Sequence, residues 1–285
     1  MAMNRSLIGK KYGPIDGEVV AREAMYYALA TNDDNEAYID GSRPNGTVAP
    51  PLFAASKDLG ALGVLEVIKE PDLGLNWAYV VHGEQYFEWE CPLIPGSKMK
   101  SWATLQDIID KGTGELLEIK VDSFNEEDDL VVSQVIGFFE RNPNAPKKKK
   151  DTREEPERGE VLFTQDMPVK KGQTYIYAEP SGDHNPIHVD PDFAVTVGLG
   201  GIILQGLCTM AFVQKAVVDN ACGGDPTRLK KLKVRFSRNV LPGDTVTTTG
   251  WLREKKNERQ VVDLEARVDR GDVVIRDAWA EVAEK

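Results

Sequence analysis

Apolar residues recur along this chain in two registers. Across residues 18–31 they include Ala21, Met25, Ala28 and Leu29, the three-to-four spacing of one helix face. A second apolar stretch, 51–68, has helical character weakened by Gly60 and Gly63. The runs 78–91, 98–111, 115–124 and 129–140 read as strands, with turns at Gly112 and Gly114 and in the acidic segment 125–129. In the second half, 174–179 reads as extended. Asp190 caps and Pro191 opens a short helix to residue 197, which Gly198, Gly200 and Gly201 end. A longer helix over 205–220 carries Leu207, Met210, Ala211, Val213, Val217 and Val218 on a broad apolar face, and Cys222-Gly223-Gly224 stops it. Strands follow at 229–240, 244–254, 260–269 and 272–282. The turn L-P-G-D at 241–244 has type II chemistry, with Gly243 supplying a positive φ.

Each half thus reads as helix first and antiparallel strands after, an α+β layout in which a sheet wraps one buried helix. The halves share little sequence, so the repeat is one of layout. Between them, residues 142–160 hold three prolines, four consecutive lysines and no large apolar side chain. Such a segment cannot bury enough surface to fold alone and predicts a linker. Lysines 147–150 read as a solvated charge run, with anion binding as the alternative. The expected organisation is a first domain over 1–141, a linker over 142–160 and a second domain over 161–285.

Composition narrows the partners. The 285 residues are 41% hydrophobic and 28% charged, enough for a sizeable core. With 35 basic against 46 acidic side chains the net charge is −11, which argues against nucleic acid as a partner. Cys91, Cys208 and Cys222 are odd in number and irregularly spaced, so no disulfide framework or zinc motif is expected. No segment approaches the ~20 apolar residues of a membrane span, and the N-terminus lacks an apolar signal core. A cytoplasmic location is the expectation.

The chemistry concentrates in S-G-D-H-N-P-I-H at 181–188. Two of the three histidines of the chain, His184 and His188, fall here beside Asp183, and proton transfer is the simplest use of that cluster. A turn across Pro186 can bring Asp183 and His188 to one water. The structural alternative has Asp183 capping a turn and His188 satisfied in the core. His184 reads as a rim residue. Asn185 either contacts a ligand, orients Asp183 or forms an Asx turn. A metal site is a rival, since His184 and His188 are four apart with Asp190 and Asp192 near, but Asn185-Pro186 disfavours helical geometry across the pair and H-E-x-x-H is absent.

The segment S-G-D-H-N-P-I-H-V-D-P-D-F-A, followed by G-I-I-L-Q-G-L-C-T-M, resembles the MaoC-like, hydratase 2 signature of (R)-specific enoyl-CoA hydratases. V-V-H-G-E-Q-Y-F-E from Val80 and K-V-R-F-S-R-N-V-L-P-G-D from Lys233 are similar to further motifs of the two-domain members. The resemblance implies a double hot-dog fold and reversible hydration of a trans-2-enoyl-CoA to a (3R)-3-hydroxyacyl-CoA. It implies Asp183 and His188 as the catalytic pair, and no cofactor beyond the coenzyme A of the substrate. The first half, with no second D-x-N-P-x-H and only His82, Glu84, Gln85 and Tyr86 as a polar cluster, is implied to house the acyl tail. Gly206, at the start of the long helix, is the candidate oxyanion donor. Arg235 and Arg238 are candidates for the phosphates of coenzyme A, with an ordinary solvated strand face as the alternative. One departure stands out: Gln205-Gly206 replaces the usual His-Gly, which bears on substrate range and efficiency. It also keeps open a non-catalytic acyl-thioester-binding subunit. Dehydration of a branched or dicarboxylic hydroxyacyl-CoA is a third reading. A homodimer is compatible with all of these.

Overall fold

The computed structural model describes residues 2–145 and 157–284; lysines 147–150 and most of the expected linker lie outside them. In the first half the elements are β1 (Lys11–Glu18), α1 (Ala21–Ala30), α2 (Glu36–Ile39), α3 (Gly60–Ile68), β2 (Val80–Trp89), β3 (Lys98–Asp110), β4 (Gly114–Phe124) and β5 (Leu130–Arg141). The second half has β6 (Val161–Pro168), α4 (Gln173–Ser181), α5 (Pro186–Val189), α6 (Pro191–Thr196), α7 (Gly206–Asn220), β7 (Leu229–Phe236), β8 (Thr245–Lys256), β9 (Arg259–Val268) and β10 (Val273–Ala283).

All ten strands form one antiparallel sheet, in the order β1-β3-β4-β5-β2-β7-β10-β9-β8-β6. The halves meet at the β2–β7 pair, where Glu84 faces Arg235 and Glu88 faces Lys231. Opposite charges across neighbouring strands favour this register, and Lys231 Nζ reaches Glu88 at 3.1 Å. On the inner face, Phe87 and Trp89 stack 5.2 Å apart beside Leu232 and Val234. The helix α7 lies against β6, β7 and β8, with Met210, Phe212, Val213 and Val217 fully buried. One apolar core runs from Val19 and Tyr27 in the first half to Val282 in the second, and a smaller one lies under α3.

Residues 174–179, expected to be extended, are helical. Their alternating Thr, Tyr and Ile favour a strand, but α4 packs across α1, setting Tyr177 Oη 3.0 Å from Tyr27 Oη in the interior. That burial overrides the local preference. The helix expected over 51–68 is interrupted: Pro51–Ala55 is a 3-10 turn, and only Gly60–Ile68 is α-helical.

Candidate active site

The octapeptide begins in the last turn of α4. Gly182 closes that helix in the left-handed region at φ +78, where a Cβ would stand 2.4 Å from Lys57 Cβ. Glycine is required there on both counts. The chain then turns through Asp183, whose backbone N–H donates to Ser181 Oγ at 3.2 Å. Asp183 Oδ1 accepts from the Asn185 N–H at 3.3 Å, and Asn185 Oδ1 accepts from the Ile187 N–H at 3.3 Å. Asn185 is therefore the N-cap of α5, and Pro186 is its first residue. Proline there has no N–H to leave unpaired, so it opens the turn of helix that carries His188 rather than preventing it.

His188 Nδ1 lies 2.8 Å from the Ile203 carbonyl oxygen. A carbonyl only accepts, so Nδ1 carries the hydrogen and the neutral ring offers the Nε2 lone pair. Nε2 faces Asp183 Oδ2 at 3.7 Å. That exceeds hydrogen-bond length, but it suits two acceptors converging on one water. The imidazole side chain is 9% exposed and the carboxylate 41%, so the ring is sheltered and the acid remains reachable.

Gln205 is fully buried. Its Nε2 donates to the Thr174 carbonyl at 2.9 Å and to the Asp183 carbonyl at 3.3 Å, tying the Asp183 loop backbone to α4. Gln205 is also the N-cap position of α7, so Gly206 is the first helical residue. No backbone hydrogen bond among the described residues engages the Gly206 N–H, which leaves it pointing from the positive end of a 15-residue helix. The Phe236 ring borders Gly206.

The first half supplies a wall. A bulge between His82 and Glu84 in β2 turns His82 to the inner face, where its ring sits 4.9 Å from Phe236 and 5.6 Å from Phe138. A directed chain fixes its tautomer. Gln134 Nε2 donates to the Ala54 carbonyl, Gln85 Nε2 to Gln134 Oε1, and His82 Nε2 meets Gln85 Oε1 at 3.0 Å. Nε2 therefore carries the hydrogen. Burial holds the His82 pKa down at about 4, only partly offset by Gln85 and the Asp183 charge, so the ring is neutral near pH 7.

Asp183, His188, Gln205 and Gly206 are thus gathered, with Asn185 capping the turn that spaces the first two. Arg235 is not with them. It lies on the outer face of β7, opposite Val234 and Phe236, where it pairs with Asp277 at 3.1 Å. Its polar-apolar alternation with those neighbours agrees with the solvated strand face, the alternative to a coenzyme A contact. Arg238 is exposed just beyond the end of β7. Among the described residues no group of three or more His, Cys, Asp or Glu is disposed to hold a metal. Gly83, inside a strand pattern, is the sequence mark of the bulge that turns His82 inward.

Residues 153–273 match the MaoC like domain, and residues 6–134 match the FAS1-like, dehydratase domain region. The chain is 33% identical over 81% of its length to the mouse (Mus musculus) peroxisomal multifunctional enzyme type 2 and spans 31% of that protein. It is 30% identical to the peroxisomal enoyl-CoA hydratase 2 of Arabidopsis thaliana, covering 77% of this chain and 76% of the relative. A MaoC-like dehydratase from Phytophthora capsici superposes with a TM-score of 0.83 at 26% identity, covering 100% of this chain and 99% of the other. A Mycobacterium tuberculosis protein described as a double hotdog fold superposes at 0.65 and 11% identity, covering 97% and 96%. The ten-stranded sheet with its inner helices is a double hot-dog.

Proposed function

Because the chain belongs to the MaoC-like, hydratase 2 family, we propose that it adds water reversibly across the double bond of a trans-2-enoyl-CoA, giving a (3R)-3-hydroxyacyl-CoA. The observation that carries the reading is the convergence of Asp183 Oδ2 and His188 Nε2, 3.7 Å apart, with Nδ1 held by Ile203. Two acceptors so placed bind one water through both of its hydrogens and leave an oxygen lone pair for attack.

The steps balance with these groups alone. The water oxygen bonds to C3 as one O–H bond breaks toward the Asp183–His188 pair. The π electrons move toward C2 and the thioester oxygen, and the proton taken up by the pair is delivered to C2. The second hydrogen of the water stays on the new hydroxyl. Charge gathering on the thioester oxygen is met by the Gly206 N–H and the positive end of α7. In the reverse direction the same groups expel water. Gln205 needs no titrating ring for this role, since it fastens the Asp183 backbone and neither donates nor accepts a proton in the reaction.

The test is the loss of conjugated enoyl-thioester absorbance when purified protein meets crotonyl-CoA. Asp183→Asn and His188→Ala are each expected to lower kcat by ~10² to 10⁴. Asp183→Asn keeps an Oδ1 acceptor for the Asn185 N–H, so an unchanged melting midpoint is expected for that variant. Wild-type rates in both variants would end the reading. A chelator is expected to leave turnover unaltered.

A further inference from the structure

The turn that presents Asp183 is fixed from two sides, and only one of them belongs to the second half. Gln205 fastens the Asp183 carbonyl. From the first half, the backbone N–H of Lys57 donates to the Ser181 carbonyl at 2.9 Å. The Lys57 side chain then runs along the Gly182 backbone, since a Cβ built on Gly182 would stand 3.2 Å from both Cγ and Cδ of Lys57. The lysine stem thus occupies the space that a side chain at 182 would need. Lys57 is itself held at both ends. The 3-10 turn before it, Pro51–Ala55, buries Leu52, Phe53 and Ala54 completely. The Leu52 N–H donates to Gln214 Oε1 of α7 at 2.8 Å, and the Ala54 carbonyl accepts from Gln134 Nε2 of β5 at 3.1 Å. Just after it, the Asp58 carbonyl accepts from the Glu18 N–H at 3.4 Å. At the tip, Lys57 Nζ lies 3.2 Å from Glu23 Oε2 of α1 and 3.2 Å from Asp58 Oδ2. Partial burial pulls the ammonium pKa down, but the bonds to Glu23 and Asp58 outweigh it and hold the group above its ordinary value, so the tip stays charged through the neutral range.

We propose that Lys57 is a positioning residue for the reaction: with its stem and its N–H, the first half sets the left-handed turn at Gly182 and, through it, the approach of Asp183 to His188. That role presupposes those proposed above for Asp183 and His188. Among the described residues no ion pair joins Lys57 to Asp183, so Lys57 acts on the backbone and not on the charge of the acid. An ion pair at the surface stabilises little and, by itself, leaves turnover alone. The stem acts differently. Glycine has the widest backbone freedom of any residue, and Gly182 directly precedes Asp183. With the space over Gly182 filled, the turn has one setting. With that space emptied, the turn relaxes and Asp183 Oδ2 drifts from its 3.7 Å approach to His188 Nε2. Glu23 and Asp58 serve by holding the lysine in the rotamer that fills it.

Variants of the full chain separate the stem from the charge. Lys57→Ala removes both, Lys57→Met keeps a stem without the ammonium, and Lys57→Arg keeps both. Because misplacement by an ångström costs on the order of 10² in rate, the partial loosening in Lys57→Ala is expected to lower kcat for crotonyl-CoA about tenfold. KM should change little, and both limbs of the pH–rate profile should stay in place. Lys57→Met and Lys57→Arg should each restore most of the lost kcat. Amide hydrogen exchange across residues 181–188, followed by mass spectrometry, should quicken in Lys57→Ala and not in Lys57→Met. Lys231→Met, which breaks the pair with Glu88 where the halves meet, should leave kcat unchanged. Wild-type kcat in Lys57→Ala, or a kcat in Lys57→Met as low as in Lys57→Ala, would overturn the proposal. So would a loss confined to KM, a displaced limb of the pH profile, or an equal fall of kcat in Lys231→Met. A wild-type protein without turnover would instead strike the proposed function. The exchange measurement needs no turnover and decides for or against Lys57 in that case as well.

Discussion

A Cβ built on Gly206 would meet the Phe236 ring at 3.4 to 3.5 Å, ordinary van der Waals contact. Protein packing therefore does not demand glycine there, whereas the proposed approach of an acyl oxygen to the N–H would. Gly206→Ala is expected to fold normally and to lose about 10²-fold in kcat/KM, since displacement of a bound group by an ångström has that effect; full activity would remove Gly206 from the site. Gln205 differs in kind, because its Nε2 is spent on the Thr174 and Asp183 carbonyls. Gln205→Leu removes both of these hydrogen bonds, and urea unfolding should show a loss of ~1 to 3 kcal/mol. His82 couples the site to pH. Its folded-state pKa of about 4 lies below the ordinary 6.5, so between those values the unfolded chain binds more protons than the folded one. Stability is then fully present above pH 6.5 and is lost as pH falls toward 4, by at most ~3 kcal/mol. His82→Gln should flatten that loss in urea midpoints measured at pH 7 and pH 4.5; an equally steep fall would assign the acid sensitivity to other groups.

At the scale of elements, legibility followed burial contrast. The eight strands β2 to β5 and β7 to β10 were visible because their inner and outer positions alternate, as in Met99, Ser101, Ala103 and Leu105 against Lys98, Lys100 and Trp102. The strands that passed unread, β1 and β6, are the two sheet edges. An edge strand buries little, and Lys11–Glu18 alternates mostly exposed with half-buried positions, so no period stands out. In the site, the adjacency of Asp183 and His188 was readable from eight residues. The Ile203 carbonyl that sets the ring tautomer was not, because it arrives from fifteen residues away along a path fixed only by the sheet. Asn185 joins these levels. Asn185→Ala removes the α5 cap, expected to cost about 1 kcal/mol, and by loosening His188 should also depress kcat, while Asn185→Asp, which keeps an acceptor, should restore most of both. Equal kcat in the two variants would show that the cap does not position the ring.

Across the whole molecule, the halves are separable in sequence but not in structure. The β2–β7 ladder makes each half the neighbour that the other half's strand lacks. Without it, β7 would present an unpaired edge and uncover Leu232 and Val234, an invitation to aggregation. The main core also crosses the junction, since Tyr27, Phe53 and Phe87 pack in one cluster with Tyr177, Phe212 and Leu232. His82, which borders Phe236, comes from the first half, whereas Asp183 and His188 come from the second. The covalent link between the halves should therefore matter far less than their contact. A chain divided after Ala145, with both pieces co-expressed, is expected to elute as one species, melt in a single transition and retain turnover on crotonyl-CoA. The second piece expressed alone should aggregate and show none. Activity in that piece alone would mean that the sheet junction and the His82 wall are dispensable, and that the first half serves some purpose other than completing the fold around Asp183 and His188.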